Sequence, residues 1–138
     1  MQIQRIQTLW LLAALGCMVA FIVLPFGYLS IDNAVAALRS YDFLGLIIPA
    51  GLAALFLLVS IFSFKAPATQ RSIVLLSLMM TLVSVGITVY LLCDRATQGV
   101  IEWAWPTAFL AAAFVAELLA VAGINHDIKL LRSYDRLR

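Results

Sequence analysis

Charged side chains are scarce in this chain. Only 12% of its 138 residues are Asp, Glu, Lys or Arg and 64% are hydrophobic, whereas soluble domains are roughly 25% charged and 45–50% apolar. Nine basic residues, seven acidic residues and one histidine are too few to coat a water-soluble fold of this size. The mean hydropathy of +1.07 therefore predicts a membrane protein, and a net charge of +2 gives no indication of nucleic-acid binding.

Residues that typically build catalytic or metal sites are also few. The two cysteines, Cys17 and Cys93, lie in separate apolar runs and have no metal-binding or redox spacing. The sequence has no HExxH motif, no glycine-rich phosphate loop and no Ser-His-Asp or Cys-His arrangement, and its polar segments are short. We therefore expect no enzyme activity, no cofactor and no metal site.

Long apolar runs are what the chain does have. A helical span needs about 20 mostly apolar residues to cross about 30 Å of hydrocarbon, and continuous rather than alternating runs favour helices over a barrel. The prediction is a single-domain, all-α membrane protein with a bundle of four transmembrane helices. We place the spans at residues 8–29, 43–64, 73–93 and 103–124, the outer loops at 30–42 and 94–102, the inner loop at 65–72, and a tail at 125–138.

The distribution of basic residues predicts the orientation. Because Lys and Arg are concentrated in cytoplasmic loops, the side with more of them is assigned to the cytoplasm. One side has only Arg39 and Arg95, and the other has seven basic residues, which predicts that both termini are cytoplasmic. The seven are Arg5, Lys65, Arg71, Lys129, Arg132, Arg136 and Arg138.

Two segments outside the spans have patterns of their own. The first outer loop, "IDNAVAALRSYD", either forms one or two turns of interfacial helix capped by Asp32 or Asn33, or stays irregular. The tail continues the fourth helix as an amphipathic helix with Leu130, Tyr134 and Leu137 on one side. The opposite side has basic residues that we expect to contact anionic lipid headgroups or a partner protein: Lys129, Arg132, Arg136 and Arg138.

Glu117 is the one formally charged residue inside a predicted span, within "AAAFVAELLAVAG". A charge at the centre of a span costs about 2.5–3.5 kcal/mol on insertion scales, so Glu117 should face the bundle interior. Hydroxyls recur along the third span at intervals of four, three and four, which places them on one helix face. We expect Ser77 or Thr81 to bond Glu117 within an intramembrane polar site, in a stripe that consists of Ser77, Thr81, Ser84 and Thr88.

Small residues accompany Glu117 on the fourth helix. Such residues let helices approach closely in lipid, and this predicts a packing face formed by Ala112, Ala116, Ala120 and Gly123. Two interpretations of Glu117 remain open. It is either a protonated carboxyl that links helices, or a proton- or cation-responsive group of a small oligomeric transporter or channel.

Short sequences at the two ends of the chain are similar to those of a known protein family. The opening "QIQRIQT", which runs directly into the first span, and the closing "DIKLLRSYDRLR" resemble a bacterial family of small four-span inner-membrane proteins that is a domain of unknown function. The resemblance implies the four-span fold, location in the bacterial inner membrane and bacterial origin, and it implies no activity.

Together, these patterns predict an integral inner-membrane protein with a structural or accessory role that packs through its transmembrane helices. The alternative is the small transporter or channel that uses Glu117. Besides the lipid bilayer, a membrane-protein partner or a second copy of the chain is a possible contact, and nucleic acid is not.

Overall fold

The computed structural model describes residues 2–137, and this part of the chain is mostly helical. The four helices are each long and apolar enough to cross a membrane, which confirms the predicted four-span class. They are α1 (Gln2–Val23), α2 (Leu44–Phe62), α3 (Pro67–Ala96) and α4 (Thr107–Arg136).

The helices form a closed bundle. Helix α1 packs against α2 and α4, and α3 packs against the same two helices. The buried apolar side chains form two clusters along the bundle axis, one around Phe21, Phe26 and Leu46 and the other around Leu11 and Leu57. We call the end near Phe26 the sheet end and the opposite end, where α1 begins and α4 ends, the terminal end.

A small antiparallel sheet covers the sheet end. Its strands are β1 (Gly27–Ile31), β2 (Ala34–Leu38) and β3 (Val100–Trp103), in the order β2-β1-β3. Leu29 of β1 and Leu38 of β2 are buried and belong to the apolar cluster beneath the sheet. The Thr107 hydroxyl donates to the Phe26 carbonyl across 2.6 Å, so the start of α4 is attached to the segment that leads into β1.

The prediction of a first span over residues 8–29 is wrong at its C-terminal end. Helix α1 ends at Val23, and residues 27–31 form the central strand. Pro25 explains the early end, because it lacks a backbone N–H and disfavours helical geometry at residue 24. The apolar run continues past it because a strand packed on a bundle also buries apolar side chains, and hydropathy alone does not separate the two cases.

The interfacial helix capped by Asp32 or Asn33 is absent from residues 30–42, and a β-hairpin occupies most of that segment. Its one helical stretch is a single 3-10 turn at Ser40–Asp42. Asp32 and Asn33 do not cap a helix. They form the two-residue turn, with positive φ angles of 47° and 69°. This is the backbone of a hairpin turn whose twist matches that of the strands, and Asp and Asn tolerate it better than most residues do.

The other helix ends also differ from the predicted bounds. Helix α3 begins at Pro67 and extends to Ala96, because proline is well accommodated at the first position of a helix. The predicted inner loop 65–72 is therefore much shorter. Trp103, predicted to open the fourth span, ends β3, and α4 begins at Thr107 and continues to Arg136, which includes most of the segment assigned to the tail.

Candidate functional site

The buried face of α3 is polar and its exposed face is apolar. Five of its seven buried residues are polar: Gln70, Ser77, Thr81, Ser84 and Thr88, beside Val74 and Leu92. Met79 and Leu82, by contrast, are half exposed. This is the reverse of an amphipathic helix in water and suits a helix whose outer side meets lipid. The polar stripe therefore faces the other helices of the bundle.

Glu117 of α4 faces this stripe and is fully buried. Ser77 Oγ lies 2.8 Å from Glu117 Oε1, and Thr81 Oγ1 lies 3.0 Å from the same oxygen. The carboxyl sits between the two apolar clusters, because Ala113, one turn before it, belongs to the first and Ala120 to the second. An acidic group is thus held by two hydroxyls in an otherwise apolar part of the bundle.

Ser77 also connects this site to α2. Its Oγ lies 3.1 Å from the backbone carbonyl of Ala53, while the same oxygen contacts Glu117. A serine hydroxyl has a single hydrogen to donate. Either Ser77 shares that hydrogen between the Ala53 carbonyl and Glu117, or Glu117 supplies the hydrogen of its own contact with Ser77. Glu117 Oε2 is buried and has no hydrogen-bond partner among residues 2–137.

The remaining hydroxyls of the stripe bond within α3. Ser84 Oγ donates to the Met80 carbonyl across 3.0 Å, and Thr88 Oγ1 donates to the Ser84 carbonyl across 2.8 Å. Bonds of this kind satisfy a buried hydroxyl without a partner on another helix. The structure therefore brings Ser77 and Thr81 to Glu117, whereas Ser84 lies on the same buried face and bonds elsewhere.

A second polar group lies at the terminal end and was not predicted. Gln7 Nε2 of α1 donates to Asp127 Oδ2 of α4 across 2.5 Å, and Gln70 Nε2 of α3 donates to the Ser60 carbonyl of α2 across 3.2 Å. A cavity of about 10 Å³ between them is close to the size that holds one water molecule. Gln70 precedes Ser77 by seven residues, so extending the stripe by two turns would have found it. No comparable spacing pattern in the sequence marks Gln7 or Asp127.

The predicted packing face of α4 is present only in part. Ala116 and Ala120 are buried, but Ala112 is exposed and Ala113 is buried in its place. The reason is geometric, since a strict four-residue interval drifts around a helix that has 3.6 residues per turn. Gly123 lies against the Gln7 side chain of α1. The close contact at Gly123 and the polar contact at Glu117 therefore lie at two neighbouring interfaces of α4.

The basic residues of the tail are exposed on α4. Lys129, Arg132 and Arg136 line one open concavity together with Ser133. Arg138, predicted to act with them, lies outside the described residues. Among residues 2–137, no group of three or more His, Cys, Asp or Glu side chains is arranged to hold a metal ion.

Comparison with known proteins gives one family. The family model described as Domain of unknown function (DUF4293) matches residues 3–137, which is nearly the whole chain. No curated protein matches the chain.

Proposed function

The chain belongs to the DUF4293 family, and we propose that it is a non-enzymatic membrane protein with a structural or accessory role, in which Glu117 links the helices. The observation that carries the proposal is the full burial of Glu117 against Ser77 and Thr81. An ionised carboxyl at such a depth is costly. Joining helices through a hydrogen-bonded neutral carboxyl costs much less free energy.

The positions of the hydrogen-bonding atoms support a neutral carboxyl. If Glu117 carries a proton on Oε1, it donates to Ser77 Oγ, and Ser77 then donates to the Ala53 carbonyl. Both distances, 2.8 Å and 3.1 Å, suit this arrangement. Thr81 donates to Oε1 at 3.0 Å. Every hydroxyl hydrogen then has an acceptor, and one chain of bonds runs from α4 through α3 to α2.

A second function is favoured by a different observation. Glu117 Oε2 is buried without a partner among the described residues, and an unsatisfied carboxyl oxygen within a membrane protein is a candidate for proton or cation handling. The second proposal is therefore a small oligomeric transporter or channel that uses Glu117 as its responsive group.

Flux measurements separate the two proposals. The protein is reconstituted in vesicles, and proton and monovalent-cation flux is measured for the natural chain and for Glu117→Gln. For a structural role we expect no flux above that of empty vesicles from either protein. A flux that Glu117→Gln abolishes, in vesicles with equal amounts of folded protein, would establish transport and refute the structural proposal.

Stability provides the positive test of the structural role. A glutamine amide oxygen in the place of Oε1 can accept from both Ser77 and Thr81, and Ser77 then has no hydrogen left for the Ala53 carbonyl. Glu117→Gln should therefore keep stability within about 1 kcal/mol, the size of one net hydrogen bond. Glu117→Ala loses the bonds and leaves a cavity, so its free energy of unfolding should fall by roughly 2–4 kcal/mol. Unfolding in mixed micelles measures both. The infrared band of a protonated carboxyl should be present in the natural chain and missing from Glu117→Gln.

We also propose that the protein lies in the bacterial inner membrane with the terminal end in the cytoplasm. The support is the seven-to-two distribution of Lys and Arg under the positive-inside rule. In a background without Cys17 and Cys93, single cysteines at Ala34 and Ser133, both exposed, can be labelled in intact cells with a membrane-impermeant thiol reagent. Labelling at position 34 alone is expected, and labelling at position 133 alone would reverse the orientation.

A further inference from the structure

An open concavity of about 250 Å³ lies on the outer side of α4 beyond the span, lined by Lys129, Arg132, Ser133 and Arg136. Their intervals of three, one and three residues place all four on one helix face. All four are exposed. In the part of the chain that the structure describes, none of the three cations forms a hydrogen bond or an ion pair within the protein. Three unpaired cations and one hydroxyl therefore point at the same space.

This basic face lies in line with the outer surface of the span. Val115, Ala122, Lys129 and Arg136 follow one another at intervals of seven residues, which is close to two helical turns. Val115 is 54% exposed, on the side of α4 away from the other helices. Because α4 is a single helix from Thr107 to Arg136, lipid chains that contact Val115 and Leu118 have their headgroups on the side that carries the cations.

The depth of the basic face also suits a headgroup. Lys129 follows Glu117 by twelve residues, which is about 18 Å along a helix. Half of the hydrocarbon thickness is about 15 Å. If Glu117 lies near the middle of the membrane, Lys129 lies just outside the hydrocarbon and Arg132, at about 22 Å, lies at the outer limit of the headgroup region. Arg136 begins about 28 Å from the middle, and its side chain points back along the helix towards the phosphates.

We propose that Lys129, Arg132, Ser133 and Arg136 form a binding site for the phosphodiester of an anionic phospholipid. Arginine guanidinium groups pair with phosphate oxygens through two parallel hydrogen bonds, and the Ser133 hydroxyl supplies a further donor. A zwitterionic phospholipid also has a phosphate, but its own cationic group would face the three cations of the site. The site therefore selects lipids with net negative charge. This inference goes beyond the proposed function, and it uses the position of Glu117 along α4 but not its chemical role.

The test compares two pairs of substitutions with equal change of charge. The full chain is placed in nanodiscs of phosphatidylcholine with a minor fraction of phosphatidylglycerol, and the bound phosphatidylglycerol per protein is measured by native mass spectrometry. The test variant is Arg132→Gln with Arg136→Gln. The matched control is Lys65→Gln with Arg71→Gln, because both residues are exposed at the same end of the bundle, outside the concavity.

We expect saturable binding of phosphatidylglycerol in the natural chain. Diffuse attraction to an anionic surface contributes roughly fivefold for each Lys or Arg and acts on both pairs. The direct hydrogen bonds of Arg132 and Arg136 to the phosphate, each worth roughly tenfold in affinity, are lost only in the test variant, which should therefore bind at least about tenfold more weakly than the control pair. Unchanged thermal stability in neutral detergent, expected for exposed positions, shows that both variants are folded. Equal losses in the two pairs would show diffuse attraction to the surface and overturn the site.

A third measurement separates lipid from free phosphate. Inorganic phosphate is titrated into the phosphatidylglycerol nanodiscs at constant ionic strength. Retention of the lipid supports the proposal, because the acyl chains against Val115 and Leu118 add to its affinity. Displacement by phosphate at low concentration would show that the site binds the free anion, and the assignment to a lipid would then be wrong.

Discussion

Gln7 and Asp127 are 120 positions apart in the chain, and a hydrogen bond of 2.5 Å joins them. Gln7 Nε2 on α1 donates to Asp127 Oδ2 on α4, and the Gln7 side chain is only 5% exposed. The bond joins the first helix to the last at the terminal end, about one turn beyond Leu11 and Ile124 of the buried apolar cluster. The bond fixes the register of α1 against α4 at an end of the bundle where fewer apolar side chains are buried.

Replacing Gln7 with alanine should therefore destabilise the bundle. The substitution removes a partly buried hydrogen bond to a carboxylate, and bonds to charged groups contribute roughly 1.5–3 kcal/mol. We expect the free energy of unfolding in mixed micelles to fall by about that amount. Gln98→Ala is the matched control, because Gln98 is exposed, and it should change stability by less than about 0.5 kcal/mol. Equal effects of the two substitutions would contradict a structural role for the Gln7 bond.

Gly123 should tolerate alanine only when Gln7 is absent. A Cβ at position 123 would lie 3.0 Å from Gln7 Cγ, and the bond to Asp127 restrains Gln7 from moving aside. Alanine gains about 1 kcal/mol over glycine in a helix interior. We expect Gly123→Ala to destabilise the natural chain by roughly 1 kcal/mol, and to stabilise Gln7→Ala by roughly 0.5–1 kcal/mol.

A double-mutant cycle at positions 7 and 123 measures this coupling directly. Unfolding free energies of the natural chain, the two single variants and the double variant are compared under the same micelle conditions. Additive effects would mean that the Gln7 side chain moves away from Cβ at no cost, and the close contact would then have no energetic role.

Thr81 and Thr88 provide a matched test of the contact with Glu117. Both hydroxyls are buried on the same face of α3, but Thr81 bonds Glu117 on another helix, whereas Thr88 bonds the Ser84 carbonyl of its own helix. Valine keeps the shape and removes the hydroxyl. We expect Thr81→Val to cost roughly 0.6–1.7 kcal/mol, the range of interhelical hydrogen bonds in membranes, and Thr88→Val to cost less.

The Glu117→Ala background supplies the control for this comparison. Without the carboxyl, Thr81 has no partner on α4, so Thr81→Val should have almost no effect there. If Thr81→Val cost as much in that background as in the natural chain, its effect would come from packing and not from the bond.

Hydropathy and helical spacing were sufficient to predict four long apolar helices, although not where each one ends, and to place Glu117 near hydroxyls of the third helix. The four apolar runs correspond to the four long helices. The need of a charged residue within a span to face the bundle interior, together with the intervals along α3, pointed to Ser77 and Thr81, whose hydroxyl oxygens lie 2.8 Å and 3.0 Å from Glu117 Oε1. Both inferences rest on strong local rules, namely that a lone carboxyl avoids lipid and that residues three or four apart share a helix face.

Such local rules could not predict the sheet or the hydrogen bond between Gln7 and Asp127. "GYLSI" after Pro25 is as apolar as the end of a membrane helix, and it becomes a strand because β2 and β3 pair with it. The partners of β1 in β3 are 70 to 76 positions away in the chain. Gln7 and Asp127 meet only because α1 and α4 close the bundle. Ala112 and Ala113 differ by one position, and which of them is buried depends on the rotation of α4 against its neighbours.

Gly99, the residue before β3, is the glycine at which an added side chain would have least room. A Cβ there would lie 2.6 Å from the Ser30 carbonyl oxygen and 2.9 Å from Ile31 Cγ1. The first of these atoms belongs to the backbone of β1, so it cannot move without disturbing the pairing of β1 with β3. We expect Gly99→Ala to lower the free energy of unfolding by roughly 1–3 kcal/mol, the cost of overpacking.

Hydrogen exchange of the backbone amides locates this effect. The amides of β1 and β3 should lose protection in Gly99→Ala, while those at the centre of α3 should not, because the sheet covers one end of the bundle only. Gly45→Ala is the matched control, since a Cβ at position 45 would meet nothing within 4 Å. Unchanged exchange in β3 would show that the strand shifts to admit the methyl group, and the close approach at Gly99 would then have no part in holding the sheet over the helices.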